Sequence, residues 1–453
     1  VRTRVASAIV RLALAAVLLP FALDWRSPLL ASMRPSALAC LIVVPSALVI
    51  AGVLAIRHAG HPMLRALDGL ALLAAALALL STATLELRFH LIRHEVLAAD
   101  PAQLEKLGRH LIVGYGDVDE VRALIDRRAV AGVFISAGNV HGLSAADVRR
   151  QIAALQDIRR DQHLPPLWIA TDQEGGDIAR LSPPLARPPL ISEILARHAD
   201  RAEGVAAVRQ SARDQGRALA DLGVNLNFAP VVDLDYGLVN PDDRMTRIHQ
   251  RAISNDPDVV TAAAAAYCDG LREAGVRCTL KHFPGLGRVF ADTHAGGAKL
   301  DVAPSELKQS DWVPFRSLIG RPDAVTMLSH VTLTALDREH PVSFSRAAVA
   351  TLLRGDWHYG GVLVTDNFSM GAVYRSGDGI GGASVEAINA GVDVILVSYD
   401  TDQYYTIMHA LLAADRDGRL QPEALRQSDA RLSRAVPASV RPSPTEPEPS
   451  SSR

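Results

Sequence analysis

The chain has 453 residues, 49% hydrophobic and 21% charged, a balance that excludes a disordered chain. Lys and Arg number 47 against 49 Asp and Glu, a net charge of −2. The broad basic surface that nucleic-acid binding requires is absent, and no nucleic-acid partner is expected. Three cysteines, Cys40, Cys268 and Cys278, are too few for a disulfide framework and lack the paired spacing of a structural zinc site; Cys268 and Cys278, near each other across a helix–strand join, read as packed thiols.

Apolar residues concentrate in the first ninety positions. Residues 37–56 (ALACLIVVPSALVIAGVLAI) carry no charge and reach the ~20 apolar residues that a bilayer-spanning helix needs. Residues 69–85 are also uncharged, at the short end of that range. A third candidate, residues 5–23, carries Arg11 off-centre and Pro20. Its apolar part, residues 12–23, resembles the hydrophobic region of a signal peptide preceded by Arg2 and Arg4, but Arg26 and Arg34 replace a small-x-small cleavage site. Ala37-Leu38-Ala39-Cys40 has the outline of a lipoprotein box, yet Cys40 lies inside an apolar run and reads as membrane-helix sequence. Segments with no polar face suit a bilayer better than a soluble core. Residues 1–87 are therefore expected to form a membrane region of two to three helices, three being the preferred number. Arg2, Arg4, Arg57 and Arg65 fall on one side and Arg26 and Arg34 on the other, which puts the N-terminus inside the cell. Three crossings place the rest of the chain outside the cytoplasm.

Residues 88–108 are mixed and partly helical and read as a linker. Residues 437–453 (PASVRPSPTEPEPSSSR) lack apolar periodicity and are expected to be a disordered tail. Between them, over 109–436, eight short apolar runs recur at 110–115, 132–136, 167–171, 224–230, 278–283, 324–330, 361–367 and 392–398. Most gaps hold a helical pattern, such as AADVRRQIAALQDIRR or DVVTAAAAAYCDGLREAG. Alternation of this kind predicts parallel βαβ units, and eight of them predict an α/β fold of the (β/α)8 TIM-barrel type. A doubly wound sheet is the structural alternative, but no G-x-G-x-x-G follows the first run.

In such a barrel, residues at the C-terminal strand ends face the active site. Those positions are Asp172 after the third run, Asp233 past the fourth, Lys281 and His282 on the fifth, His330 on the sixth and Asp366 on the seventh. Singly, each has a structural explanation: a helix cap, a turn, a satisfied core histidine. Polar residues gathered at that one end of five runs are harder to explain as core. Two loops add to them. Asp172-Gln173-Glu174-Gly175-Gly176 sets a glycine turn beside carboxylates. Asp292-Thr293-His294 follows Lys281-His282-Phe283-Pro284-Gly285; in that spacing the carboxylate can reach Nδ1, fix the tautomer and raise the basicity of Nε2.

These segments, with Asn227-Phe228-Ala229-Pro230, Ser329-His330 and Thr365-Asp366-Asn367-Phe368-Ser369-Met370, closely resemble the single-domain bacterial β-N-acetylhexosaminidases of glycoside hydrolase family 3, which act on cell-wall muropeptides. The resemblance runs from about residue 110 to 400 and covers none of the membrane part. It implies a barrel and a retaining mechanism with Asp366 as nucleophile and His294 as acid/base held by Asp292. A retaining glycosidase usually takes its proton from a second carboxylic acid; here a histidine takes that place. Asp172, Arg180, Arg251, Lys281, His282 and His330 match substrate-binding positions. Two departures, Leu286 for histidine and Asp177 for arginine, bear on substrate preference. The implied partner is a glycan containing N-acetylglucosamine, with no cofactor and no metal; the location expected from the apolar helices, the bacterial inner membrane with the catalytic domain outside the cytoplasm, is unusual for a family whose members are commonly cytosolic or lipid-anchored. Competing readings are a β-glucosidase or glycosyl phosphorylase on the same barrel, and an inactive muropeptide-binding sensor. A metal hydrolase would want His-x-His near the first strand end, where Gly114-Tyr115-Gly116 stands.

Overall fold

The computed structural model describes residues 2–321 and 323–435, and the tail expected over 437–453 lies outside them. By its internal contacts the chain divides into two compact units between Ala99 and Asp100.

The first unit holds three helices, α1 (Arg2–Leu23), α2 (Arg34–Arg57) and α3 (Pro62–Ala98). All three are long and apolar enough to cross a membrane. Where they pack, small residues face inward: Ala8, Ala15 and Ala22 on α1, and Ala71, Ala75 and Ala78 on α3, are buried. Side chains this short let helix backbones approach closely, which is how helices associate where no water is available to drive them together. Arg11, the charge that made the first run doubtful, donates from Nε and Nη2 to Asp68 Oδ1 on α3 at 3.1 and 2.6 Å. Near the other end of α1, Trp25 Nε1 donates to Glu86 Oε1 at 2.5 Å, and Arg26 pairs with the same carboxylate. The expected linker is helical on both sides of a break. Residues 88–98 continue α3, and Pro101–Gly108 forms a short helix whose first amides are capped by Asp100.

The second unit is built on eight parallel strands, β1 (Leu111–Val113), β2 (Gly132–Phe134), β3 (Trp168–Thr171), β4 (Leu226–Asn227), β5 (Cys278–Phe283), β6 (Ala324–Leu328), β7 (Leu363–Asn367) and β8 (Val394–Val397). Each falls inside one of the eight apolar runs. Their order around the sheet is β4-β3-β2-β1-β8-β7-β6-β5. The ring closes between β4 and β5 through the bridges Leu226–Arg277 and Val231–Lys281. Asn227 N–H donating to Arg277 O at 2.9 Å and Thr279 N–H to Ala229 O at 2.8 Å carry that seam. Ile112, Phe134, Trp168, Ala170, Leu226, Phe228, Val325, Met327, Val364 and Leu396 form one buried cluster drawn from strands on every side, so they fill the barrel interior. Phe134 stacks on Phe228 with centroids 5.9 Å apart. The expected helices form at Ala145–Asp161, Arg201–Leu222, Pro257–Glu273 and Gly379–Ala390. Ser144, Asp200 and Asp256 accept hydrogen bonds from first-turn amides and so start the first three.

One reading is overturned here. Cys268 and Cys278, expected as packed thiols, form a disulfide between the helix Pro257–Glu273 and the first residue of β5. Both are fully buried. The bond ties the helix directly to the strand that carries Lys281 and His282. Cys40 is a free cysteine.

Candidate active site

Polar side chains on or just after five strands gather at the C-terminal end of the barrel. The turn after β3 is a hairpin, Gln173–Gly175 against Ile178–Ala179, with Gly175 and Gly176 at φ of 118° and 53°, where L side chains are strained. Asn227, at the end of β4, clamps this hairpin: its Oδ1 accepts from Gln173 N–H at 2.9 Å and its Nδ2 donates to Gln173 O at 3.0 Å. The clamp fixes Asp172 and Glu174, two positions apart on an extended segment and therefore on one side of it.

Lys281, on β5, bridges both carboxylates, with Nζ 2.7 Å from Asp172 Oδ1 and 2.6 Å from Glu174 Oε1. Arg251 grips Glu174 in two-point fashion, Nε to Oε2 at 2.9 Å and Nη2 to Oε1 at 2.6 Å. Burial opposes the charge on Glu174, but the Arg251 and Lys281 cations hold its carboxyl far below the ordinary carboxylate range. Burial likewise opposes the Arg251 charge, and Glu174 more than compensates, raising that pKa. Arg180 is brought to the same place by the hairpin, its N–H donating to Asp172 O at 3.0 Å, while its guanidinium takes no part in the ion-pair network.

His282 sits against Asp233, which is buried past the end of β4. Its Nδ1–H donates to Asp233 Oδ2 at 2.7 Å, and the amides of His282 and Leu286 also point at that carboxylate. Nε2 of His282 is thereby left as an acceptor facing Arg251 Nη2 at 3.4 Å. Leu286 fills its position with a buried side chain, and Asp177 is exposed beside Arg187 at 3.6 Å.

Asp366, at the end of β7, accepts from its neighbour Asn367 N–H at 2.7 Å. Burial opposes its ionisation, but the imidazoles of His282, His330 and His294 lower its pKa below the ordinary value. His330 was expected to meet substrate, and here the geometry differs. It is fully buried, Nε2–H donates to Asn367 O at 3.0 Å and Nδ1 accepts from the Ser343 hydroxyl at 2.7 Å. Both ring nitrogens are occupied within the protein, and burial lowers its pKa. It steadies the strand end that carries Asp366.

The Asp292–His294 pair forms as its spacing suggested. His294 Nδ1–H and backbone N–H both donate to Asp292 Oδ1, at 2.8 and 2.9 Å, leaving Nε2 free. The loop is docked onto the segment after β7, where Gly371 N–H donates to His294 O at 2.9 Å and Ala372 N–H to Thr293 O at 3.2 Å. A Cβ at Gly371 would lie 2.5 Å from Ala295 O, so this approach requires glycine. Among the described residues, no three His, Cys, Asp or Glu side chains are grouped to hold a metal.

Residues 102–435 match the glycosyl hydrolase family 3 N-terminal domain. The chain belongs to glycosyl hydrolase family 3. Family 3 relatives share most of the second unit. The β-hexosaminidase LpqI of Mycobacterium tuberculosis is 34% identical over 333 residues, 72% of this chain and 81% of that one. A family 3 β-N-acetylglucosaminidase from Paenibacillus sp. FPU-7 superposes with a TM-score of 0.66 at 32% identity, over 74% of this chain and 63% of that one. A family 3 glycosyl hydrolase from Mycobacterium smegmatis superposes with a TM-score of 0.65 at 32% identity, over 77% of this chain and the whole of the other. The chain is a glycoside hydrolase with a family 3 barrel.

Two residues of the site were given no role from the sequence. Glu174 joins Lys281 to Arg251; its position two residues after Asp172 in an extended turn was the available signal. Thr246, on the loop after β4, donates to Asp292 Oδ1 at 3.0 Å, and no motif marks it. Glu174 carries a prediction. Removing one partner of a buried charge network costs about 3–5 kcal/mol, so Glu174→Gln should melt well below the parent at pH 7. The folded pKa of Glu174 is depressed from 4.5. Its stabilisation is therefore complete above that unfolded value and lost as pH falls toward the folded one. The gap between parent and variant should hold constant near neutrality and narrow below about pH 4.5. Equal melting curves at pH 7 would mean that the network contributes nothing.

Proposed function

We propose that the chain is a retaining, exo-acting β-N-acetylhexosaminidase that removes terminal β-linked N-acetylglucosamine from peptidoglycan-derived or related glycans. The observation that carries this reading is the meeting, at one barrel end, of an ionised Asp366 and a His294 whose Nδ1 is committed to Asp292. The names of its relatives support the sugar.

In the first step an Asp366 oxygen bonds to the anomeric carbon as the glycosidic C–O bond breaks, and His294 Nε2 gives its proton to the departing oxygen. In the second, a water oxygen attacks that carbon, the bond to Asp366 breaks, and the water proton passes to His294 Nε2. The pair of groups thus supplies what a retaining enzyme needs. Asp172, Arg180, Arg251, Lys281 and His282 hold the sugar's hydroxyls and N-acetyl group. His330 keeps Asn367, and through it Asp366, in place.

We further infer that the three N-terminal helices anchor the protein in the bacterial inner membrane with the barrel outside the cytoplasm. Two observations support this: the Arg distribution across the helix ends, and the Cys268–Cys278 disulfide, a bond that persists in oxidising compartments. Reporters fused after residue 100 should be active only outside the cytoplasm; a cytoplasmic signal would overturn the topology and leave the enzyme reading intact.

The function is tested with aryl β-N-acetylglucosaminides. The purified chain should release the aryl group, and the sugar first formed should keep the β configuration by proton NMR. Turnover of aryl β-glucosides in preference would make it a β-glucosidase. A strict requirement for phosphate would make it a phosphorylase. Tight binding of muropeptide with no turnover would make it a sensor.

A further inference from the structure

We propose that Thr246 is the positioning residue of the Asp292–His294 pair and its link to the sugar-holding cluster. The inference rests on the reading of His294 as acid/base. Asp292 and His294 lie two residues apart, and the hydrogen bonds between them fix the pair internally without orienting it against the barrel. Main-chain contacts to Gly371 and Ala372 hold the loop backbone. The side chains are held by Thr246, which arrives from the loop after β4. Its Oγ–H donates to Asp292 Oδ1 at 3.0 Å, and its Oγ lies 3.3 Å from His294 Nδ1. Three donors thus converge on one carboxylate oxygen, and the imidazole plane follows from where that oxygen is set.

Thr246 is itself anchored. It is buried, and Asp243 accepts from the backbone N–H groups of Met245, Thr246 and Arg247 at 3.2, 2.8 and 2.8 Å. Its carbonyl accepts from Arg251 Nη1 at 2.8 Å. Arg251 in turn grips Glu174, which holds Lys281. One residue therefore touches the acid/base pair through its hydroxyl and the sugar-holding cluster through its carbonyl. The hydroxyl aims Nε2 of His294 at the departing oxygen. It also helps hold the Asp292 carboxyl below its ordinary range: burial opposes that charge, and hydrogen bonds from His294 and Thr246 favour it.

The test uses the full-length chain with Thr246→Val, Thr246→Ala and Thr246→Ser, alone and combined with His294→Ala, on aryl N-acetylglucosaminides of graded leaving-group basicity. Val and Ala both remove the hydroxyl, one keeping the shape and one the freedom to repack. Both should lower kcat on the most basic leaving group about tenfold, the worth of one hydrogen bond to a charged group, with little change in KM. On nitrophenyl leaving groups the first step should run near the parent rate, and Ser should restore activity throughout. In the His294→Ala background the Val and Ala changes should cost nothing further, because a group that acts through His294 has nothing left to position. A loss equal for all leaving groups, a loss that persists without His294, or a Ser variant as poor as Val would each overturn the proposal. These outcomes stand apart from failure of the enzyme reading, in which the parent chain itself turns over none of the substrates.

Discussion

Asp366→Ala is expected to abolish turnover of every N-acetylglucosaminide, a fall of roughly 10⁴–10⁶-fold of the kind seen when a nucleophile is removed. The residue stands at the end of β7, so the barrel fixes its position. Its depressed pKa means that it remains ionised through the ordinary carboxylate range, so the acid limb of kcat/KM should not reflect Asp366 until pH falls below its ordinary value of 3.8. The direct check is covalent: a 2-fluoro or other slow glycosyl donor should add one sugar mass to the parent chain at Asp366 and none to the variant. A labelled peptide from another part of the chain would remove Asp366 from the mechanism.

His294→Ala should cost less, and selectively. A general acid contributes about 10²–10⁴-fold, and that help matters only when the departing oxygen needs a proton. With basic leaving groups the variant should lose most of this factor. With a nitrophenyl group, which departs as its anion, the first step should run close to the parent rate. Asp292→Ala should be a milder copy, because it removes the orientation of Nδ1 and leaves the imidazole in place. Plotting log kcat/KM against leaving-group pKa should give a steeper slope for the variants than for the parent. Parallel lines would mean that His294 is not the acid.

Much of the barrel was legible because parallel strands are buried on both faces and so read as unbroken apolar runs. All eight runs became strands, although the strand in the run at 224–230 is only Leu226–Asn227. That segment spends its polar groups on Asn227, which clamps the neighbouring hairpin instead of extending the ladder. The Asp292–His294 pair was legible for a different reason: its partners are two residues apart, so the spacing allowed a contact that the structure forms. For His330, a strand-end position says where a side chain starts and not what its nitrogens meet; Ser343 and the Asn367 carbonyl take both. Thr246 was invisible, since its partner is 46 residues away and a lone threonine in a loop has no pattern. The disulfide failed to register because three cysteines suggest no framework. Only the fold brings the helix Pro257–Glu273 back alongside β5, closing a Cα separation of 5.3 Å.

The Arg11–Asp68 pair has a consequence for how the membrane part is made. On the proposed three-span topology, Asp68 stands at the edge of the uncharged run 69–85, where an unpaired carboxylate beside hydrocarbon costs less than the about 2.5–3.5 kcal/mol of mid-span but still opposes insertion. Its counter-charge is on α1, which leaves the ribosome first. On that topology, a protease that trimmed α1 on emergence would leave Asp68 without its counter-charge at the membrane edge.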